Sequence, residues 1–481
     1  MTTGRVPASA RAAAGPRRTG RAGRRSGRGQ AVLLWLLVAV VLLAPLPLGS
    51  NRPLPASTLA ATVGVLLCVW SVGCLLARAP TIVSVRPFWP ALVLLGLAAS
   101  WAAAQAVPFT PAWLHHPYWR EARAILGLPY AGAISVNPAA TWNRLMGLLA
   151  YGGIFWLALQ LCRRSARAHQ VLFALAAGGL LYAAYGLFDL FQSDTGIVTS
   201  TFVNRNSYAT YAGMTLFCGL GLVVHHFARP TRAGISLRRI LVDVASRLDG
   251  PLAVGVVTCL VAGTALLLTQ SRGAFVALCA ALVAFVWALR RMTLMTSGTF
   301  FKATVAFSIA IALGMMWLAG EETLGRFSDA NEQALNRLAY YRATWAAIWD
   351  RPFLGTGYGT YADAFRAYNH PGTQTYFLDK AHDTYLQVIM ELGWPAAAAL
   401  YAGLALLVFR GAQHRGAVYP AVLASCSVLV AVHSLVDFSL EMPANAATYA
   451  LLLGVGCAQS VHDGDPAGRR ERRHVSVKTT D

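Results

Sequence analysis

Residues 264–283 read TALLLTQSRGAFVALCAALV, two apolar runs separated by the polar tetrad Gln270-Ser271-Arg272-Gly273. Because almost no linker separates the runs, they predict two helices joined as a tight hairpin with Arg272 at its tip. A guanidinium group is costly to bury in hydrocarbon. The role of Arg272 therefore depends on whether the hairpin crosses a membrane and on which side its tip lies.

The composition of the whole chain is that of a membrane protein. Of 481 residues, 56% are hydrophobic and 12% are charged, whereas a soluble domain has roughly 25% charged residues. The predicted fold class is all-α, a polytopic membrane protein with about 12 transmembrane helices and one large helical loop outside the membrane. The predicted spans are 31–49, 56–77, 88–106, 143–162, 170–191, 208–226, 251–269, 273–290, 302–319, 392–409, 417–436 and 445–461.

Basic residues in the loops predict the orientation of these spans. Residues 1–30 contain eight Arg and no acidic residue, which places the N-terminus in the cytoplasm by the positive-inside rule. Most other Lys and Arg residues follow even-numbered spans, so both termini are predicted to be cytoplasmic. Span 251–269 then runs outward, and Arg272 lies on the extracytoplasmic side. An arginine that snorkels to lipid phosphate is the simpler alternative, but an outward-facing Arg opposes the positive-inside bias, which favours a functional role.

The net charge of +20 raises the question of partners and cofactors. In a membrane protein such charge indicates the cytoplasmic face and contacts with anionic membrane lipids, so no nucleic-acid partner is predicted. The eight Cys residues fall inside or at the ends of predicted spans, without a CxxC or Cys/His metal spacing. The sequence therefore predicts no metal, no cofactor and no disulfide framework.

Further polar residues are predicted on the same side of the membrane as Arg272. Arg205 precedes a predicted span, where Asn206 or Ser207 would cap the helix, and a helix N-terminus attracts anions. The outer segment 320–391 contains a predicted amphipathic helix and a second helix that begins near His382. Between these helices, residues 355–359 read GTGYG, which we interpret as a flexible turn over a ligand.

Two arginines and one histidine on one side of a membrane suggest a chemistry. Two guanidiniums can bind a diphosphate through bidentate hydrogen bonds, and a neutral histidine can take a proton from a hydroxyl group. This set favours glycosyl transfer from a lipid-diphosphate sugar. His433 and Asp437, four residues apart, are interpreted as a structural polar pair.

At these residues the sequence resembles the O-antigen ligase and O-antigen polymerase superfamily. The matching segments are TFVNRN at 201–206, QSRG at 270–273, the turn 352–359, the His382 helix that ends in ELG at 391–393, and HSLVDF at 433–438. The characteristic block covers residues 253–410. This chain has Asp383 where the family often has Asn.

The resemblance implies an inverting, metal-independent glycosyltransferase of the bacterial inner membrane. Its donor partner would be an undecaprenyl-diphosphate-linked glycan, and its acceptor would be lipid A-core, or a lipid-linked glycan in a polymerase. By this resemblance His382 would act as the catalytic base, and Arg205 and Arg272 would hold the diphosphate. Further possible substrate contacts are Arg337, Arg342, Asp383 and Tyr385.

The predicted organisation has five parts. Residues 1–30 form a disordered basic cytoplasmic arm, and residues 31–250 form an N-terminal transmembrane bundle. The core related to O-antigen ligases spans 251–410 and includes the periplasmic loop 320–391. C-terminal transmembrane helices follow at 411–461, and residues 462–481 form a basic cytoplasmic tail.

Two other classes of protein remain as alternatives. A metal-dependent sugar transferase would need paired carboxylates in an outer loop, but the acidic doublet Glu321-Glu322 diverges on a helix. A small-solute transporter would place its polar site near the bilayer midplane, whereas these candidates cluster at one surface. Within the superfamily, exopolysaccharide assembly and protein glycosylation also stay open.

Overall fold

The computed structural model describes residues 19–76, 83–127, 129, 131–193, 196–227, 250–291, 327–368, 379–413 and 418–461. Fifteen α-helices lie in these ranges and no β-strand does, which confirms the all-α prediction for this part of the chain. The helices are α1 Thr19–Leu43, α2 Pro53–Leu76, α3 Trp89–Ala106, α4 Pro117–Leu126, α5 Pro138–Leu161, α6 Ser165–Gln192, α7 Arg205–Phe227, α8 Gly250–Leu268, α9 Arg272–Arg291, α10 Phe327–Asp350, α11 Tyr361–Phe365, α12 Thr384–Leu392, α13 Trp394–Gly411, α14 Tyr419–His433 and α15 Pro443–Ser460.

Most of the predicted spans correspond to a helix of the structure. Eight helices are long and apolar enough to cross a membrane, namely α2, α3, α5 to α9 and α13. Residues 28–43 of α1 and the whole of α14 are shorter apolar helices, and α15 coincides with the last predicted span. The predicted span 302–319, the tail 462–481 and residues 1–18 of the arm lie outside the described residues. The prediction that the whole arm 1–30 is disordered is wrong for residues 19–30, which form the first turns of α1. The chain is a multi-pass membrane protein.

Helix α15 lies at the centre of the bundle. Every residue from Pro443 to Gln459 is buried, and α15 packs against α5, α13 and α14. A helix that is surrounded by protein needs no lipid-facing apolar stripe, which explains why it is less hydrophobic than its neighbours. A Cβ added to Gly454 would lie 2.6 Å from the carbonyl oxygen of Phe155. Glycine therefore permits the close approach of α15 to α5.

The remaining long helices form a second layer beside α15. Helix α7 packs against α8 and α6, and α9 packs against α14. A Cβ added to either Gly219 or Gly255 would lie 3.0 Å from the carbonyl oxygen of the other residue. Such contacts between small residues are typical of membrane helices, where tight packing replaces the hydrophobic effect.

Helix α10 confirms the predicted amphipathic helix in the large outer segment, whose predicted apolar stripe is Leu335, Leu338, Tyr341, Trp345 and Ile348, but only part of that stripe is buried. Ile348 of the stripe is buried together with Thr344, whereas Leu338 and Trp345 are 46% and 43% exposed. The Trp345 ring contacts that of Trp394, the first residue of α13, with centroids 6.1 Å apart. The aromatic face of α10 therefore continues onto a membrane span.

Candidate active site

Three loops that contain the predicted site residues meet at one connection, residues 433–441 between α14 and α15. We call this segment the junction. It begins at His433, the last residue of α14, and ends in a 3-10 turn, Ser439–Glu441. The side chains of His433, Asp437 and Glu441 are all buried. The junction therefore has buried polar groups with which neighbouring loops can form hydrogen bonds.

The first loop leads into α7, which begins at Arg205. The Asn204 side chain accepts a hydrogen bond from the backbone N–H of Asn206, at 2.7 Å. The prediction that Asn206 or Ser207 caps this helix is therefore wrong. Asn206 instead donates its side-chain N–H to Asp437 Oδ1, at 3.2 Å, because that amide faces the junction.

One turn further along α7, the Thr210 hydroxyl contacts His433 Nδ1 at 2.6 Å. Ser439 Oγ also contacts His433 Nδ1, at 3.2 Å, and donates to Asp437 Oδ2, at 2.6 Å. His433 and Asp437 are thus linked through Ser439. These contacts fix the N-terminal turn of α7 against the junction and leave Arg205 exposed beside it.

The second loop is the predicted hairpin between α8 and α9. Ser271 Oγ accepts a hydrogen bond from the N–H of Ala274, at 3.3 Å, so that α9 begins at Arg272. The next residue, Gly273, lies against the junction. A Cβ at this position would be 2.6 Å from Val436 Cγ2 and 3.3 Å from His433 Cδ2. Glycine permits this approach, and the Arg272 side chain is exposed at the edge of the contact.

The third loop carries His382. Thr384 donates its backbone N–H to the carbonyl oxygen of Ser434 and its hydroxyl to that of Asp437, both at 2.9 Å. The half-buried His382 ring contacts the Phe438 ring edge-on, with centroids 5.0 Å apart. The third loop is therefore attached to the junction on both sides of Asp383.

Asp383 has a structural role at this point. Its Oδ1 accepts hydrogen bonds from the N–H groups of Tyr385 and Leu386, at 2.9 and 3.0 Å, which makes Asp383 the N-cap of α12. Burial raises the pKa of Asp383, although these two N–H groups lower it. An Asn side chain could accept the same bonds, so capping explains why either residue suits this position.

The three loops also share a backbone feature. Ser200, Gln270 and His382 have φ values of 52°, 52° and 54°. Residues other than glycine adopt this left-handed conformation at a cost, and strained positions of this kind cluster at active sites and ligand clamps. Each of these three residues lies within five positions of a predicted site residue or is that residue, whereas Leu48 and Ser50 have the same conformation between α1 and α2.

The remaining predicted contacts are more dispersed. Arg342 is exposed on α10, and the side chain of Arg337 lies outside the described residues. The Tyr385 hydroxyl donates to the carbonyl oxygen of Ala431, at 2.9 Å. Its ring lies 4.9 Å from that of Tyr401, between centroids. Tyr385 is thus directed towards α13 and α14.

A buried polar network that was not predicted from the sequence lies beside the third loop. Glu441 of the junction forms ion pairs with Arg144 of α5 and with Lys380, the latter at 2.6 Å. Gln387 donates to Glu441 Oε2 at 2.9 Å and to Glu391 Oε1 at 3.2 Å. Charged residues within apolar spans often have a functional role, but Arg144 is only the second residue of the predicted span 143–162, so the sequence gave at most a weak signal for it.

The glycine-rich turn 355–359 surrounds Glu391. The N–H groups of Gly359 and Tyr361 donate to the two Glu391 carboxylate oxygens, at 2.8 and 3.2 Å. A Cβ added to Gly355 would lie 2.2 Å from the Glu391 carbonyl oxygen. The prediction of a flexible turn over a ligand is wrong, because the glycines let this turn pack around the end of α12.

The pKa values of the two carboxyl groups of the network are shifted in opposite directions. Burial first, and then the negative charge of Glu441, raise the pKa of Glu391 to about 7. Burial would also raise the pKa of Glu441, but Arg144 and Lys380 outweigh it and lower the pKa to about 2. Within the described ranges, no three His, Cys, Asp or Glu side chains are grouped so that they could hold a metal ion.

Comparison with known proteins adds one match. Residues 257–401 match the family model described as O-antigen ligase. The matched segment contains Arg272 and His382, whereas Arg205 precedes it. No curated protein matches the chain.

Proposed function

We infer the function on the premise that the match over residues 257–401 supports membership of the O-antigen ligase and polymerase superfamily, whose members are membrane enzymes of the ligase or polymerase type. We propose that this chain is a metal-independent glycosyltransferase of the bacterial inner membrane. It transfers glycan from undecaprenyl diphosphate to a hydroxyl group of lipid A-core on the periplasmic side. Both termini are cytoplasmic in this proposal, and residues 251–410 form the catalytic core.

One observation carries the proposal: the loops of Arg205, Arg272 and His382 all contact the junction. Asn206 bonds to Asp437, Gly273 packs on Val436, and Thr384 bonds to Ser434 and Asp437. These loops are far apart in the sequence. A shared attachment point is what a site assembled from two phosphate-binding cations and one base requires.

In the proposed reaction, Arg205 and Arg272 bind the two phosphates of the lipid-linked donor. Each is the first residue of a helix, and the positive end of the helix dipole adds to its attraction for an anion. The acceptor hydroxyl gives its proton to His382 as its oxygen attacks the anomeric carbon. The bond between that carbon and the phosphate oxygen breaks, and the lipid diphosphate leaves with the electron pair. Attack from the opposite face inverts the anomeric centre.

A binding experiment and a transfer experiment test the two roles separately. Farnesyl diphosphate serves as the probe for full-length protein in nanodiscs. We expect Arg205→Ala and Arg272→Ala to weaken its binding more than about tenfold, since charge-assisted bonds to a phosphate are lost. His382→Ala should bind the probe normally and lose about 10²–10⁴-fold in transfer rate in membranes that supply the native donor.

Arg86→Ala is the matched control, because Arg86 is an exposed arginine on the predicted cytoplasmic side. It should behave as wild type in both experiments. Normal probe binding by the Arg205 and Arg272 variants would refute the diphosphate site. Labelling of a cysteine at position 272 or 382 from inside the cell would refute the topology.

A polymerase would use the same three residues with a second lipid-linked repeat as acceptor. The glycan pattern of a deletion strain separates the two activities. Loss of capped lipopolysaccharide with accumulation of long lipid-linked chains would indicate the ligase. Caps of a single repeat would indicate the polymerase. Normal glycans with impaired uptake of small solutes would instead favour the transporter alternative.

A further inference from the structure

The buried network beside His382 brings three charged side chains together, those of Glu441, Arg144 and Lys380. The Glu441 side chain is 1% exposed, and those of Arg144 and Lys380 are 22% and 25% exposed. Buried ion pairs contribute little net stability, because desolvation offsets most of their attraction. Stabilisation of the fold therefore does not explain why these charges are present, and their position beside His382 is the better guide to their role.

The network contacts the peptide that contains His382 at its N-terminal end, through Lys380 and Ala381. Lys380 Nζ bonds to Glu441 Oε2 at 2.6 Å. The next residue, Ala381, donates its N–H to Gln387 Oε1 at 3.2 Å, and the same Gln387 side chain donates to Glu441. Glu441 therefore fixes two consecutive residues directly before the histidine, one of them through Gln387.

The other contacts of this peptide come from separate elements. The Tyr341 hydroxyl of α10 donates to the His382 carbonyl oxygen at 3.2 Å, and Thr384 bonds to the junction. With φ at 54°, His382 has a conformation that persists only where the surroundings determine it. Contacts on both sides of His382 supply that constraint.

We propose that Glu441 is a positioning residue for His382. Its carboxylate holds Lys380 and Arg144 together, which anchors residues 380–384 between α5 and the junction and keeps the imidazole oriented towards the acceptor hydroxyl. This inference rests on the proposed function, since it assigns the network a role in the transfer step. Glu441 itself touches no substrate.

The test compares Glu441→Gln with Gln160→Met in the full-length protein. Gln160 is a matched control, because it is a buried polar residue of α5 that bonds to the backbone of Val83 at 3.0 and 3.1 Å, away from the junction. Both variants lose buried hydrogen bonds and should lower the apparent Tm. Only Glu441→Gln should lower kcat, by about 10–100-fold, since a small displacement of a catalytic group has effects of this size.

Three further readouts separate positioning from stability. The KM for the native lipid-linked donor should not change in Glu441→Gln, and Glu441→Asp should recover part of kcat because it keeps the charge. Amide hydrogen exchange in peptide 379–386 should accelerate roughly tenfold or more in Glu441→Gln, as expected when a bond to a charged group is lost. It should stay unchanged in Gln160→Met.

The outcomes distinguish this inference from the proposed function. If His382→Ala abolishes transfer while Glu441→Gln keeps a normal kcat at a lower Tm, Glu441 is only structural and the inference is overturned. If His382→Ala transfers glycan at the normal rate, the catalytic assignment of His382 fails, and the positioning role of Glu441 fails with it. Faster amide exchange in Glu441→Gln would then show only that Glu441 orders this peptide.

Discussion

Two pairs of cationic side chains lie beside the junction and differ in their surroundings. Arg144 and Lys380 converge on the buried Glu441, whereas Arg205 and Arg272 are exposed and each begins a helix. A cation compensated inside the protein fixes the geometry of the chain around it. An exposed cation at a helix N-terminus instead adds to a positive potential that attracts anions. The first pair has a structural role as ion-pair partners of Glu441, and the second pair is the one to which the proposed function gives ligand binding.

The largest effect should come from removing one half-buried cation that pairs with the buried Glu441. Arg144→Ala leaves the buried Glu441 with Lys380 as its remaining ionic partner, and breaking a buried ion pair costs about 3 kcal/mol or more. We expect this loss in the free energy of unfolding, measured by denaturant titration in mixed micelles.

Arg205→Ala is the control for this prediction. It removes an exposed guanidinium, and surface changes are usually within about 0.5 kcal/mol. Equal losses of stability in the two variants would show that the two pairs do not differ as proposed. A stable Arg144→Ala protein that no longer binds farnesyl diphosphate would place Arg144 in the ligand site.

The two pairs also differed in how well the sequence predicted them. Arg205 and Arg272 could be found because each interrupts the pattern of apolar spans on the predicted outer side, where the positive-inside rule makes positive charge rare. Arg144 lies at the start of a predicted span and could be dismissed as an interfacial residue. Its partner Glu441 is about 300 residues away in the sequence, and pairing over such a separation depends on tertiary packing.

The helices themselves were largely predictable, because their length and apolar composition are set by the membrane. The connections were less so. Asn206 resembles a cap but bonds to Asp437, and the turn 355–359 resembles a mobile ligand loop but encloses Glu391. In both cases the buried partner lies on another segment, which local patterns of sequence do not reveal.

The buried network should make stability depend on pH. Glu391, with its pKa raised to about 7 from an ordinary 4.5, keeps a proton in the folded protein that the unfolded chain has released. Stability should therefore fall as the pH rises through this interval, by up to about 1.4 kcal/mol per unit of pKa difference. Glu441 has the opposite sign, because its stabilisation is complete above 4.5 and is lost as the pH falls towards 2.

The apparent Tm in detergent, measured between about pH 5 and pH 8, checks this prediction. Glu391→Gln should flatten the decline, because its amide carries no titrating proton. Arg205→Ala, from the exposed pair, is the control, and its apparent Tm should decline with pH as steeply as that of the wild type. An identical decline in wild type and Glu391→Gln would assign the pH dependence to another group and remove Glu391 from the comparison.

The smallest effect should come from substituting Asp383, which has a structural contact like the first pair but lies next to the proposed catalytic residue. It is a carboxylate next to the proposed base, yet its Oδ1 is occupied by two N–H groups of α12. Asn caps helices about as well as Asp, whereas Ala costs about 1 kcal/mol. We therefore expect Asp383→Asn to keep the Tm and the transfer rate of the wild type, and Asp383→Ala to lower the Tm. If Asp383→Asn instead lost activity at an unchanged Tm, the carboxylate charge would act on His382 directly. Asp383 would then take part in the reaction and would not serve only as the N-cap of α12.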